Sequence, residues 1–166
     1  SIKTSTQVIP PQPSGLNSVQ DTSAASNGNN IVIANTTNLG GHTIVDDNAV
    51  IGGMTGIHQF VRIGKGSMVG AYTRLPQDVP PFMLCEGNPA LVKGLNSVGL
   101  RRNSVPRPAI AELKEIYKLL YRSALDTSSS IQSINAHSYQ SEEAAYLITF
   151  ITEPSKRGCI KKQESE

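Results

Sequence analysis

Two histidines and their neighbours are the part of this 166-residue chain best suited to chemistry. His42 follows Gly40-Gly41, and His58 precedes Gln59. A neutral imidazole can take a proton from a hydroxyl. A glycine N–H can stabilise the oxyanion that forms during acyl transfer, and a Gln amide can orient a polar substrate. The set points to acid–base work at a hydroxyl or acyl group. The same histidines also fit a plainer role as exposed turn residues, and spacing alone leaves both roles open. A zinc site would need a third ligand, and His137 lies in a later, helical segment. No metal and no cofactor is expected.

These residues sit inside a stretch with a six-residue rhythm. Every sixth residue from Ile33 is aliphatic: Ile33, Leu39, Val45, Ile51, Ile57, Ile63, Val69 and Leu75. Four places after each stands a small residue: Thr37, Thr43, Ala49, Thr55, Val61, Ser67, Thr73 and Val79. A half-buried strand alternates with period two and an amphipathic helix repeats at about 3.6, so neither explains the spacing. Period six marks a hexapeptide repeat, in which three hexads close one triangular coil of a parallel β-helix. The aliphatic residue points inward, the small one fills a tight inner corner, and Gly, Asp and Asn between them make the turns. Leu39 and Ile57 are 18 residues apart and so stack in adjacent coils. His42 and His58 then share one vertical edge, within roughly 10 Å. Ile33–Val79 makes about two and a half coils, a prism about 12 Å tall. So short a stack exposes a backbone edge and wants a partner, and self-association is the expected one.

Composition agrees with a β-helix. Aromatic residues are 5% and Trp is absent, which suits an interior of small aliphatic side chains. A net charge of +2 makes no case for nucleic acid. Cys85 and Cys159 are too few for a disulfide framework, and free thiols make a cytoplasmic setting the default. No apolar run approaches the ~20 residues of a membrane span. Residues 1–27 are rich in Ser, Thr, Asn and Pro and are expected to be disordered or unrelated to the fold. Asn27 stands where an inward aliphatic is needed, so the repeat is expected to begin near Gly28. Residues 28–90 form the hexapeptide-repeat β-helix, broken by Pro80-Pro81 and followed by a short strand and turn. Residues 91–166 form a small C-terminal helical domain. There Gly94–Arg102 reads as a polar-basic connection, 108–124 as an amphipathic helix, 128–136 as a short helix, and Ser141 as the cap of a third. The charged tail from 154 is expected to fray.

Basic residues gather after the glycine-rich core: Arg62, Lys65, Arg74, Lys93, Arg101, Arg102 and Arg107. Most fit a solvated face, but Arg101-Arg102 follows a Gly-rich turn and is better placed to meet a diphosphate or an acidic protein. With these segments in view, residues 28 to about 160 resemble the C-terminal half to two-thirds of a family. That family is the acyl-carrier-protein–UDP-N-acetylglucosamine O-acyltransferases, which begin lipid A synthesis. Leu39-Gly40-Gly41-His42, Ile57-His58-Gln59-Phe60, Gly94-Leu95-Asn96 and Gly99-Leu100-Arg101-Arg102 carry the resemblance, with Tyr117–Ser123 and Lys156-Arg157-Gly158. It implies a left-handed parallel β-helix and a homotrimer with active sites between subunits. It implies transfer of a 3-hydroxyacyl chain from acyl carrier protein to the 3-hydroxyl of UDP-N-acetylglucosamine. By the family's motifs Gly41 supplies an oxyanion-hole N–H, and His42, His58 and Gln59 bind the sugar nucleotide and acyl group. Ala71 lies at the floor of the acyl groove, where its methyl shortens the accepted chain. Asn96 and Arg102, with Arg101 beside it, match residues that hold the nucleotide and its phosphates.

The chain also departs from the family pattern. The family's catalytic His stands 19 residues before the His of the Gly-His motif, and here that position is Ser23, with no His anywhere before His42. Val98 replaces a Glu common near the nucleoside, and Asn103 replaces a further basic residue. Losing a general base costs about 10²–10⁴-fold in rate. The expectation is an N-terminally truncated acyltransferase with impaired turnover. The alternative is a non-catalytic remnant that trimerises or binds acyl carrier protein or UDP-sugar.

Overall fold

The structure is a computed structural model that describes residues 2–3, 8–9 and 26–163. After β1 (Ile2–Lys3) and β2 (Val8–Ile9), the strands wind as about three triangular coils. The first coil is β3 (Ser26–Asn27), β4 (Ile31–Ile33) and β5 (Asn38–Leu39). The second is β6 (Ile44–Val45), β7 (Val50–Ile51) and β8 (Gly56–Ile57), and the third is β9 (Arg62–Ile63), β10 (Met68–Val69) and β11 (Arg74–Leu75). Strands pair in parallel with their counterparts one coil on, Leu39 opposite Ile57 and Val45 opposite Ile63. Face A is built on β4, β7 and β10, face B on β5, β8 and β11, and face C on β3, β6 and β9.

The six-residue rhythm is the cause of this shape. All eight aliphatic positions and all eight small positions are buried, none more than 5% exposed. The small positions explain why Thr and Ser occur in an apolar interior. Thr37, Thr43, Ser67 and Thr73 each donate their hydroxyl to the carbonyl three residues back, at 2.9, 2.5, 2.7 and 2.7 Å. Each of these four hydroxyls therefore closes its own corner, Thr55 donates instead to the Gly70 carbonyl at 3.3 Å, and the desolvation cost of an unpaired hydroxyl is avoided. The corner also needs one residue in the left-handed region. It recurs every six residues, at Asn30, Thr36, His42, Asn48, Met54, Phe60, Gly66 and Tyr72, with φ between 55° and 66°. Only one of the eight is glycine, so the turn glycines in the sequence are not chiefly there for φ. Gly40 shows their purpose: a Cβ on it would lie 2.3 Å from the Gln59 nitrogen in the coil beneath.

The prism starts earlier than Gly28. β3 lies against β6, with Asn27 opposite Val45, so an amide takes the inward place. Most of residues 1–27 lies outside the described residues. Within it, β1 pairs in parallel with β4, and β2 folds back antiparallel on β1. The edge of face A that the sequence suggests is bare is therefore covered. At the other end β12 (Met83–Gly87) continues face A beneath β10 and turns into antiparallel β13 (Ala90–Leu95).

Among the described residues four α-helices follow: α1 (Ser97–Arg102), α2 (Arg107–Tyr117), α3 (Thr127–Ala136) and α4 (Glu142–Thr152). α2 runs on into a wider turn of π type over Lys118–Arg122. Ser141 caps α4 by accepting from the Ala144 N–H at 3.1 Å, with Glu142 and Glu143 in the first turn. Leu113, Ile116, Leu120, Ile134 and Leu147 form a second apolar cluster with Phe82, Met83 and Leu100, and Val92 touches both clusters. The tail does not fray at once, since Ile160 is buried and Cys159 pairs with Asp78. Among the described residues no helix is long and apolar enough to cross a membrane.

Candidate functional site

The corner between faces B and C gathers four of the residues singled out in the sequence. Gly40-Gly41-His42 makes it in the first coil and His58-Gln59-Phe60 in the second. The Phe60 N–H donates to the Gly41 carbonyl at 3.0 Å, and the Gly40 N–H to the Ile57 carbonyl at 2.8 Å. The His42 and Phe60 rings are parallel to within 2°, with centroids 5.0 Å apart, about one coil rise. His42, His58 and Gln59 are exposed, and none of their side chains is hydrogen-bonded among the described residues. The Gly41 N–H likewise has no partner among the described residues, and a Cβ at Gly41 would meet nothing within 4 Å. The corner thus offers two imidazoles, an amide and an open backbone donor beside free space. That set can hold a polar ligand and accept a developing negative charge.

A second region lies on face A. The outward residues Val32, Val50, Met68 and Leu84 floor a groove of about 620 Å³. Asn30 and Asn48 edge it, and Asn96, Val98 and Arg102 face it from the start and end of α1. Asn96 is buried and fixes that helix: its carbonyl accepts from the Gly99 N–H at 3.1 Å and its amide donates to the Gly66 carbonyl at 3.0 Å. Arg102 is exposed, while the Arg101 guanidinium is turned back to the Ser97 carbonyl at 3.3 Å. An apolar floor with amides and one guanidinium on its rim suits a ligand that is part alkyl, part anionic.

Ala71 belongs to neither region. It sits at the corner between faces A and B, beneath Gly52, whose added Cβ would lie 2.5 Å from the Ala71 nitrogen. The chain therefore carries the predicted residues at three places. The histidine corner and the groove stand on different sides of the prism, separated by a face on the order of 15 Å wide.

Sequence reasoning missed the network that holds the tail to the histidine corner. Asp78, fully buried, accepts from the Arg62 N–H at 2.9 Å, from Arg62 Nε at 3.0 Å and from the Ser155 hydroxyl at 2.5 Å. Arg62 also lies 4.2 Å over the Phe150 ring and donates to the Phe150 carbonyl at 3.1 Å. The only available signal was an acidic residue next to the aliphatic Val79 of the repeat. Burial pushes the Cys85 thiol up to about 12. Cys159 rises to about 12 as well, chiefly from burial and then from the nearby Asp78. Among the described residues no cluster of His, Cys, Asp and Glu could hold a metal ion.

A family profile described as Udp N-acetylglucosamine O-acyltransferase, Domain 2, matches residues 78–160, half of the chain. An acyl-[acyl-carrier-protein]–UDP-N-acetylglucosamine O-acyltransferase of Verminephrobacter eiseniae is 44% identical over 138 residues, 81% of this chain and 52% of that protein. The protein of the same name from Nautilia profundicola is 42% identical over 130 residues, 78% of this chain and 49% of that protein. The solved UDP-N-acetylglucosamine acyltransferase of Campylobacter jejuni superposes with a TM-score of 0.76 at 37% identity, over 84% of this chain and 54% of that one. The enzyme of that kind from Bacteroides fragilis gives 0.78 at 34% identity, over 82% of this chain and 53% of its own. The chain spans about half the length of the curated relatives it matches.

Proposed function

The chain belongs to the UDP-N-acetylglucosamine O-acyltransferase family, and from that premise we propose that it serves acyl transfer from acyl carrier protein to UDP-N-acetylglucosamine. In this reaction the sugar 3-hydroxyl oxygen attacks the thioester carbonyl of a 3-hydroxyacyl chain. A C–O bond forms, the C–S bond breaks, and the hydroxyl proton ends on the departing thiol. The observation that carries the proposal is the stacked corner. Gly41 presents an unpaired N–H where an oxyanion could form, beside His42, His58 and Gln59, which would bind the sugar nucleotide and acyl group. Arg102 would meet the diphosphate, with Arg101 and Asn96 shaping that wall. Ala71 would limit the acyl chain.

The separation of corner and groove on one protomer supports a homotrimer, in which the corner of one copy meets the groove of the next. Light scattering after size exclusion tests this. A cytoplasmic setting follows, since acyl carrier protein is the donor and both cysteines are free.

Ser23 supplies no imidazole at the position where the family carries its general base. We therefore expect binding of UDP-N-acetylglucosamine with only trace transfer. The test is calorimetry with UDP-N-acetylglucosamine and a transfer assay with 3-hydroxyacyl carrier protein, on the wild type and on His42→Ala and His58→Ala. Saturable binding that either substitution weakens at least tenfold is expected. A wild-type chain that neither binds the sugar nucleotide nor transfers an acyl group would end the proposal. Binding with no transfer at all would favour the alternative, a ligand-binding relative without catalysis, which Ser23 specifically supports.

A further inference from the structure

We propose that Phe60, Lys156 and Arg157 are positioning residues for His42 and Gln59, with the C-terminal segment standing in for the third turn of backbone that the histidine corner lacks. The proposal rests on the ligand assignment above for its functional meaning, but its geometry is independent of it.

Repeat phase alone would place His42, Phe60 and residue 78 in one column, one per coil. His42 and Phe60 both hold left-handed backbone, at φ 57° and 66°, a region that bulky side chains disfavour. Their rings use that position to stack on each other. The third member leaves the column, because Asp78 is buried against Arg62 and Ser155. Two consequences would follow for the coil above. Phe60 would lose its next neighbour, and the Gln59 carbonyl would lose its donor. In the coil above, the Phe60 N–H fills that donor's place on Gly41, but the Asp78 N–H goes instead to the Gly158 carbonyl at 2.8 Å.

The tail supplies both missing partners. Lys156 Nζ lies 3.8 Å from the centre of the Phe60 ring, a cation against an aromatic face. Arg157 Nε donates to the Gln59 carbonyl at 2.9 Å. The tail is anchored at this level by the pairing of Cys159 with Asp78. Two adjacent tail residues thus brace two adjacent residues of the turn. The brace sits on the ring that His42 stacks against and on the backbone of the Gln59 that would contact ligand. Among the described residues no hydrogen bond joins the His42 or Gln59 side chain to the tail, so in this proposal the tail acts on ligand by fixing the turn.

The test is side-chain NMR of the three histidines, with calorimetry against UDP-N-acetylglucosamine, on Lys156→Gln, Lys156→Arg, Phe60→Leu and Phe60→Tyr, each first confirmed folded by its thermal transition. Lys156→Gln and Phe60→Leu should shift the His42 ring resonances and leave those of the remote His137 in place. Both should weaken sugar-nucleotide binding about three- to tenfold. Lys156→Arg and Phe60→Tyr keep the charge and the ring, and should restore both readouts. His42 resonances that stay fixed in Lys156→Gln and Phe60→Leu would overturn the proposal, as would equal effects of Lys156→Arg and Lys156→Gln. Responsive His42 resonances in a protein that does not bind the sugar nucleotide would uphold the positioning and remove the ligand assignment.

Discussion

The histidine corner and the groove on face A carry comparable polar equipment, yet they are built by different means. The corner is repetitive. Its residues come from equivalent hexads of two successive coils, and their positions follow from repeat phase. The groove is not: its floor comes from four strands of face A, and its wall is a six-residue helix delivered from beyond the β-helix. The corner is therefore fixed by backbone stacking at the scale of one methyl group. The groove wall is held by the buried Asn96 amide and by Leu100 in the second apolar cluster. Perturbations should separate along that line.

The largest effect should come from Asp78, which ties the tail beneath the corner. Asp78→Ala leaves the mostly enclosed Arg62 with only the exposed Glu153 as a carboxylate partner, at 3.4 Å. It should cost about 3 kcal/mol, the low end for loss of one partner of a buried pair. Urea denaturation measures this. Thiol labelling of the folded variant then locates it: Cys159 rides on the tail and should react faster than in the wild type, while Cys85, in the strand under the groove, should stay slow. Equal acceleration of both thiols would mean that the corner and the groove open together as one unit.

Next in size is Asn96→Ala. It removes the cap of α1 and leaves the Gly66 carbonyl unpaired, together about 2–3 kcal/mol. The His42 ring resonances should not move, because the loss falls on the groove.

These two sites also mark what the sequence made legible. The sixteen inward positions and the shared edge of His42 and His58 follow from a period of six, because every coil repeats the same local geometry. The start at Ser26 did not, since Asn27 breaks the aliphatic pattern while still occupying an inward place. α1 is hidden for another reason. Ser97, Val98 and Gly99 are weak helix formers, and the helix stands because Asn96 caps it from a buried position that only the fold creates. The tail resembles a frayed end by charge, but its lysine and arginine find partners that are distant in sequence, Phe60 and Gln59. Local pattern shows what repeats; it does not show which distant segment closes an edge.

Neighbouring glycines sharpen the view of the corner. Gly40→Ala would drive a methyl group to 2.3 Å from the Gln59 nitrogen, where only backbone can yield, and should cost about 1–3 kcal/mol. Gly41→Ala meets open space and should leave stability within about 1 kcal/mol of wild type. The same methyl lies beside the unpaired N–H, so Gly41→Ala should lower ligand binding in a fully stable protein. If Gly41→Ala unfolds the chain, the space next to that donor is not a ligand space.

The smallest effect compares two left-handed residues at different corners. Tyr72 is 74% exposed and its φ is 57°, so its side chain gains little from a strained backbone. Tyr72→Gly relieves that strain, roughly 1–2 kcal/mol, against the greater freedom of glycine in the unfolded chain, roughly 0.5–1 kcal/mol. A rise in stability of between zero and about 1.5 kcal/mol should result. Phe60→Gly relieves the same strain at φ 66° but also removes the stack on His42 and the contact with Lys156. Those contacts are worth about 1–2 kcal/mol together, so the gain should vanish or reverse. The difference between the two thermal midpoints isolates what the ring of Phe60 contributes at the histidine corner. Equal midpoints would mean that the ring is tolerated there and braces nothing.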